Sequence, residues 1–334
     1  MLRLPWFEHR APRSVAEAAK ILAGEGPRAM LIAGGTDLLP NMKRRHQAPQ
    51  VLISVRKIEN LKAVSNGTFG SAVTLNEVVQ NPETPTALRQ AAVQVATPHL
   101  RNMGTLGGNL CLDTRCNYYN QTYEWRKAID FCLKKDGQIC WVATASKRCV
   151  AVSSTDTAPA LIALKAKIKL VSAKGEREIP VEALYQNDGI DYLSRAPDEI
   201  LTEVSVPSDW KSTYWKLRRR GSFDFPILGV AAALRFNSAN EIEEARIALG
   251  AVASRPFLVE KAGEFLKGKR LTDEVIAEAA VLVANRAKPM DNTDMDLYWR
   301  KEVADDFAGY ALRELRGDDL RETRLKISRQ VLAA

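Results

Sequence analysis

The spacing of apolar and polar residues predicts a chain that mixes helices with strands. After Ser14, a residue type that favours helix N-termini, apolar residues recur at helical spacing over 15–23 until Gly24. Short apolar runs at 30–33 and 51–55 instead indicate strands. We therefore predict an α+β chain with two hydrophobic cores. Further helices are expected at 88–95, 158–164, 272–287 and 295–315, and further strands at 165–170, 176–179, 229–236 and 245–253.

Length and composition narrow the class of protein. The 334 residues suffice for two domains, and a polar segment at 207–210 is the expected boundary between them. With 46% hydrophobic and 26% charged residues, the composition excludes a wholly disordered chain. No apolar stretch reaches the roughly 18 residues of a membrane span, and the first ten residues lack the apolar core of an export signal. We expect a cytoplasmic protein that does not enter the membrane.

Charge and histidine content exclude two further classes. The net charge of +8 comes from small basic groups, and no nucleic-acid-reading motif accompanies them. We therefore expect a solvated basic surface, or one that meets an acidic partner subunit, and no nucleic-acid binding. The three histidines, His9, His46 and His99, stand beside no nucleophile motif. Histidine-dependent nucleophilic catalysis and histidine-rich metal sites are not expected.

The cysteines provide the first strong chemical signal. All five, at positions 111, 116, 132, 140 and 149, lie in one short stretch of the chain. The lack of an export signal argues against disulfides, and the lack of a C-x-x-C pair argues against common zinc knuckles. A thiolate-bound iron–sulfur cluster is the leading interpretation, while a zinc site and redox or structural thiols remain open.

Two glycine-containing segments point to a ligand with a diphosphate. AGGTDLLP at 33–40 follows a predicted strand, and GTLGGNL at 104–110 comes directly before the cysteines. Glycine lets the backbone approach a ligand closely and direct successive N–H groups toward it. Neither segment has the P-loop pattern or the Rossmann G-x-G-x-x-G pattern. Each segment alone also fits an ordinary turn, so the prediction depends on the two together.

With these motifs in order, the sequence resembles the FAD-binding middle subunit of the molybdenum hydroxylases, the family of xanthine and carbon monoxide dehydrogenases. The resemblance implies an α+β fold. A vanillyl-alcohol-oxidase-type (PCMH-type) FAD-binding domain would span 1–209, and a CO-dehydrogenase-flavoprotein-like C-terminal α+β domain would span 213–325. Besides AGGTDLLP, the matching stretches are VATPHLRNMGTLGGNLC at 95–111, SSTDTAPALIAL at 153–164, DEILTEVSVP at 198–207 and DFPILGVAAAL at 224–234.

For the flavin, the resemblance implies a site built from both glycine segments and from three later positions. Asp156 matches a flavin-contacting aspartate, although it could also cap the following helix, and Lys216 could also be a surface lysine. His99 stands where many relatives have glutamine and is assigned no role. The implied FAD-binding residues are Leu31, Ile32, Ala33, Gly34, Gly35, Thr36, Asp37, Leu38, Thr105, Gly108, Asn109, Asp156, Leu201 and Lys216.

Residues 113–152 form an insert that most members of the family lack. Its start, DTRCNYYNQTYEWRK, is similar to the insert of 4-hydroxybenzoyl-CoA reductases, whose flavin subunit carries an additional [4Fe–4S] cluster. The resemblance implies four cluster ligands within the insert and makes Cys111, which lies outside it, the spare. The implied ligands are Cys116, Cys132, Cys140 and Cys149.

The resemblance therefore implies an electron-transfer subunit that carries FAD and a [4Fe–4S] cluster and holds no catalytic residue for the substrate. Its partners would be a large molybdenum-cofactor subunit, a small [2Fe–2S] subunit and an external electron carrier, for which ferredoxin is expected. The complex would be a 4-hydroxybenzoyl-CoA reductase, which removes a phenolic hydroxyl. The alternative is an aldehyde- or N-heterocycle-oxidising molybdoenzyme with the same insert. A zinc-stabilised binding or assembly protein is the alternative of a different class.

Overall fold

The computed structural model describes residues 3–327, which form three β-sheets covered by helices. The first segment contains β1 (Glu8–Arg10), α1 (Val15–Glu25), β2 (Ala29–Ile32), α2 (Leu38–Lys43) and β3 (Val51–Ser54). Its strands form a parallel sheet in the order β1–β3–β2, and α1 packs its apolar residues on this sheet. The first glycine segment follows β2 directly. It therefore lies at the carboxyl edge of parallel strands, where ligands of α/β sheets commonly bind.

A five-stranded antiparallel sheet forms the larger part of the N-terminal half. Its strands are β4 (Val64–Ser65), β5 (Thr68–Gly70), β6 (Lys167–Ser172), β7 (Gly175–Pro180) and β8 (Ile200–Ser205). They lie in the order β4–β5–β8–β6–β7, and the core of this half includes the helix Thr157–Ala163, every residue of which is buried. The helices are α3 (Leu75–Gln80), α4 (Thr86–Val93), α5 (Pro98–Arg101), α6 (Leu106–Leu110), α7 (Tyr123–Ala128) and α8 (Thr157–Ala163).

The C-terminal half is a four-stranded antiparallel sheet with helices on one face. Its strands, in the order β12–β11–β10–β9, are β9 (Lys211–Leu217), β10 (Leu228–Phe236), β11 (Ile242–Gly250) and β12 (Phe257–Leu258). Trp215 and Leu217 on β9 pack toward the helices of this half, whereas Tyr214 packs in the N-terminal core. Because side chains alternate along a strand, Lys216 faces the N-terminal half as well. The helices are α9 (Glu260–Leu266), α10 (Asp273–Ala284), α11 (Leu297–Arg316) and α12 (Arg321–Lys326).

The structure confirms the predicted α+β character and each long element, with ends that differ by a few residues. Ser14 caps α1 by accepting a hydrogen bond from the N–H of Glu17, and Thr272 caps α10 in the same way. The sequence did not predict the short helices α2 and α6, because each spans less than two turns. In addition, α2 contains Pro40, and α6 contains Gly107 and Gly108, which are residue types that disfavour helices. Among the described residues, no helix combines the length and apolarity that a membrane crossing requires.

Candidate functional site

A cavity of about 280 Å³ is lined by both glycine segments. We call it the flavin cavity. Of the predicted FAD-binding residues, only Leu201 and Lys216 are absent from its lining. Leu201 lies in β8 and packs in the N-terminal core, so its expected flavin contact stays a prediction. Lys216 reaches the cavity indirectly through Asp156. The lining residues that sequence reasoning placed here are Leu31, Ile32, Ala33, Gly34, Gly35, Thr36, Asp37, Leu38, Thr105, Gly108, Asn109 and Asp156.

The first glycine segment offers free N–H groups to the flavin cavity. Within the described residues, the N–H groups of Gly34, Gly35 and Thr36 donate no hydrogen bond to another part of the backbone. Gly35 has a φ of 70°, a left-handed conformation that glycine adopts without strain. Asp37, in the middle of the segment, forms an ion pair with Arg115, which holds the loop against the start of the insert. The loop therefore presents fixed donors to an anionic ligand.

The second glycine segment is fixed by side-chain hydrogen bonds. The hydroxyl of Thr105 accepts a hydrogen bond from the N–H of Gly108 at 3.1 Å. Oδ1 of Asn109 accepts hydrogen bonds from the hydroxyls of Thr155 and Thr157 at 2.8 and 2.6 Å, and from the N–H of Thr157 at 3.2 Å. The acceptor atom of Asn109 is thus fully used. Asn109 lines the cavity, and its NH₂ group takes part in none of these hydrogen bonds, so it remains available as a donor.

A buried ion pair supports the lining at Asp156. Oδ2 of Asp156 accepts a hydrogen bond from Nζ of Lys216 at 3.0 Å, and Oδ1 accepts one from the hydroxyl of Tyr214 at 2.8 Å. Nζ of Lys216 also donates to the carbonyls of Gln94 and Asp224. Burial raises the pKa of Asp156, and the Lys216 ammonium opposes that shift. Although Asp156 precedes α8, its side chain makes no capping hydrogen bond, and Lys216 is buried rather than exposed.

The residues of the flavin cavity suit a flavin dinucleotide. A diphosphate requires N–H and hydroxyl donors, and a flavin ring requires apolar walls with few polar contacts. The glycine loops supply the donors, and the buried hydroxyl of Ser154 has no hydrogen-bond partner among the described residues. Tyr192, Phe223 and Phe225 add aromatic surface that sequence reasoning did not predict. The motif DFPILG contains Phe225, but Tyr192 and Phe223 lie in no motif.

The insert folds around a second, small cavity, which we call the cysteine cavity. The antiparallel pairing of Arg115 with Val152 joins the two ends of the insert. In the described part of the chain, no group of three or more His, Cys, Asp or Glu side chains is arranged to hold a single metal ion. Cys111 lines the flavin cavity instead. The cysteines that line the cysteine cavity, all buried, are Cys116, Cys132, Cys140 and Cys149.

Comparisons with protein families cover most of the chain. Residues 6–209 match the FAD binding domain in molybdopterin dehydrogenase, and residues 212–315 match the CO dehydrogenase flavoprotein C-terminal domain. These matches confirm the predicted fold class and the resemblance to the molybdenum hydroxylase flavin subunits.

Individual relatives agree over nearly their whole length. The chain is 28% identical to the carbon monoxide dehydrogenase medium chain of Hydrogenophaga pseudoflava, over 92% of this chain and 96% of that one. It is 29% identical to the FAD-binding subunit of an Escherichia coli aldehyde oxidoreductase, over 84% of this chain and 93% of that subunit. A solved structure of the Hydrogenophaga pseudoflava carbon monoxide dehydrogenase matches with a TM-score of 0.75 and 26% identity, covering 93% of this chain and 97% of that one. The chain therefore belongs to the FAD-binding medium subunits of the molybdenum hydroxylases, the oxidoreductase flavoproteins of the CO and xanthine dehydrogenase family.

Proposed function

We propose that this chain is the electron-transfer subunit of a molybdenum enzyme complex that oxidises an aldehyde or an N-heterocycle. The observation that carries the proposal is the flavin cavity, which is lined by the two glycine segments and by Asp156, the partner of the buried Lys216. Its relatives include subunits named for carbon monoxide dehydrogenase and aldehyde oxidoreductase. A large molybdenum subunit, a small [2Fe–2S] subunit and an external electron carrier, with ferredoxin as one candidate, would complete the complex.

The chain's own residues would hold and orient the flavin. The N–H groups of Gly34, Gly35 and Thr36 would bind the diphosphate, with Asn109 donating from the opposite loop. Lys216 would hold the Asp156 carboxylate in one orientation toward the ring. FAD, when bound, exchanges electrons in pairs or singly, which suits a subunit between a two-electron and a one-electron partner. The protein contributes binding, orientation and exclusion of water.

We also propose that the insert holds a [4Fe–4S] cluster through Cys116, Cys132, Cys140 and Cys149. All four thiols are buried around one cavity, and this arrangement supports a compact ligand bound by four sulfurs. Burial is the main reason that the pKa of Cys116 is raised to about 12; the backbone N–H groups of Tyr118 and Tyr119 oppose this shift, and the nearby thiols of Cys149 and Cys132 contribute to it. A cationic metal group would favour the thiolate forms that burial alone disfavours. A zinc site would use the same sulfurs, so metal analysis must distinguish the two.

Two candidate activities of the complex remain, oxidation of an aldehyde or N-heterocycle and reduction of 4-hydroxybenzoyl-CoA, and they differ in the substrate. The assignment to 4-hydroxybenzoyl-CoA reductase depends on the resemblance of residues 113–127 and stays a prediction, whereas the relatives above favour an oxidising complex. The experiment purifies the complex through a tag on this chain. It then assays oxidation of aldehydes and N-heterocycles with a dye acceptor, and reduction of 4-hydroxybenzoyl-CoA with reduced ferredoxin.

We expect substrate-dependent bleaching of the flavin absorption in the complex and no turnover by the isolated chain. Turnover of an aldehyde or an N-heterocycle would support the proposal. Turnover of 4-hydroxybenzoyl-CoA alone would overturn the oxidative assignment and keep the electron-transfer role. Turnover by the isolated chain would overturn the electron-transfer role itself.

A further inference from the structure

A buried ion pair joins the flavin cavity to the cysteine cavity. Asp113 lines the flavin cavity, and its carboxylate accepts hydrogen bonds from Nζ of Lys134 and from the hydroxyl of Tyr119, each at 2.9 Å. Lys134 and Tyr119 both line the cysteine cavity. The side chains of Lys134 and Asp113 are only 6% and 5% exposed. One pair of opposite charges thus spans the wall between the two cavities.

Lys134 is held in place by several groups, of which Asp113 alone carries a charge. Its Nζ also donates to the hydroxyl of Thr114 at 2.8 Å and to the carbonyl of Gly189 at 2.5 Å. The ammonium lies 4.8 Å from the ring centre of Tyr119 and 5.4 Å from that of Tyr192, which lines the flavin cavity. Its position is therefore fixed, and its field is poorly screened because solvent does not reach it.

Lys134 and the four thiols of the insert line the same small cavity, so the positive charge of Lys134 lies close to any group that the thiols hold. A buried positive charge stabilises negative charge added nearby, and the net charge around a cluster is one of the factors that set its reduction potential. Removal of the ammonium and removal of the carboxylate are therefore expected to have opposite effects at this site.

We propose that Lys134 is a positioning residue that raises the reduction potential of the group held by the four cysteines, and that Asp113 limits this effect from the flavin side. The inference rests on the cluster proposed above. It predicts that Lys134→Met shifts the midpoint potential of the cluster to a more negative value. Asp113→Asn shifts that potential to a more positive value, and Lys134→Arg, which keeps the charge, leaves it close to that of the unmodified protein.

The test is a redox titration of the anaerobically purified full chain, followed by electron paramagnetic resonance, with iron and sulfide measured on each sample. Opposite shifts in Lys134→Met and Asp113→Asn support the inference. An unchanged potential in iron-loaded Lys134→Met, or shifts of the same sign in both variants, overturns it. Loss of iron from both variants overturns it too, because the pair would then only hold the insert in place. Absence of iron from the unmodified protein would instead overturn the proposed cluster together with this inference.

Discussion

The backbone of Gly34 lies directly against the carbonyl group of Met103, so closely that the position has no room for a Cβ atom. Gly34 belongs to the first glycine segment, and Met103 directly precedes the second. The two loops that line the flavin cavity therefore support each other, although 69 positions separate these residues in the sequence. A change at Gly34 must disturb both sides of the cavity.

Replacement of Gly34 by valine is expected to lower the flavin content. A branched side chain would push the Met103 backbone away, at a cost of about 1–3 kcal/mol in the free energy of unfolding. Acid-extracted flavin per chain and urea unfolding measure the two effects. The matched control is Gly24→Ala, an exposed position in α1 where a Cβ meets no atom within 4 Å. In this control the free energy of unfolding should rise by roughly 0.5–1 kcal/mol, and the flavin content should stay unchanged. Normal flavin content in Gly34→Val would contradict the assignment of this loop.

The Asp156–Lys216 pair gives a second prediction, for stability. Lys216→Met removes the ammonium group that pairs with the buried Asp156 carboxylate, while the hydrogen bond from the Tyr214 hydroxyl remains. Loss of one member of a buried ion pair commonly costs about 3–5 kcal/mol. The double variant Asp156→Asn with Lys216→Met should lose less free energy of unfolding than the two single variants lose together, because no uncompensated charge remains. Urea unfolding of all four proteins forms the double-mutant cycle, and additive losses would show that the two groups are not coupled.

The sequence predicted those parts of the site that local patterns specify. Gly34, Gly35 and Asn109 lie in recognisable segments beside predicted elements, and the structure places them around one cavity. Lys216 and Asp156 were both expected only from the resemblance, and a surface position remained open for Lys216. Their pairing was not predicted, because nothing local shows that β9 packs against the residue before α8. The same holds for Tyr192, which reaches the flavin cavity from a segment with neither helix nor strand.

The insert shows most clearly which contacts cannot be predicted from the sequence alone. The resemblance grouped its four cysteines, and the structure places them around one cavity. The salt bridge between Lys134 and Asp113, however, joins positions in irregular backbone, where no periodicity indicates which residues meet. Such contacts depend on the tertiary packing of the loop against the FAD-binding domain.

His46 makes stability depend on pH. The residue is buried and stacked on Tyr119, with ring centres 4.1 Å apart. Burial, reinforced by Arg126, lowers its pKa from 6.5 to about 4. The unfolded chain therefore binds a proton more readily, so this contribution to stability is present above pH 6.5. This contribution is lost as the pH falls toward 4, and the loss in the free energy of unfolding is on the order of 3 kcal/mol at most.

His46→Phe keeps an aromatic ring beside Tyr119 and removes the titrating group. We expect urea unfolding of this variant to lose less stability between pH 6.5 and pH 4 than that of the unmodified protein. Parallel losses in both proteins would assign the acid sensitivity to other groups.

The cysteines divide into four proposed ligands and one spare. Cys111 lines the flavin cavity and packs against the N-terminal core, so Cys111→Ala should keep its iron and sulfide at a packing cost of about 1 kcal/mol. Each single alanine change at Cys116, Cys132, Cys140 or Cys149 should lose the cluster or leave a damaged three-iron form. Iron and sulfide analysis of the five variants shows which cysteines bind the cluster. Loss of iron in Cys111→Ala, with iron retained in one of the other four, would show that the ligand set is wrong.

The central claim is that this chain holds FAD in the flavin cavity and an iron–sulfur cluster in its insert. Cofactor analysis of the anaerobically purified protein tests it most directly, with flavin, iron, zinc and sulfide determined on one sample. We expect about one FAD per chain, released by acid because neither glycine loop offers a His or Cys for covalent attachment. We also expect about four irons and four sulfides per chain, and no zinc. Absence of flavin, flavin that remains attached after acid precipitation, or zinc in place of iron would contradict the claim.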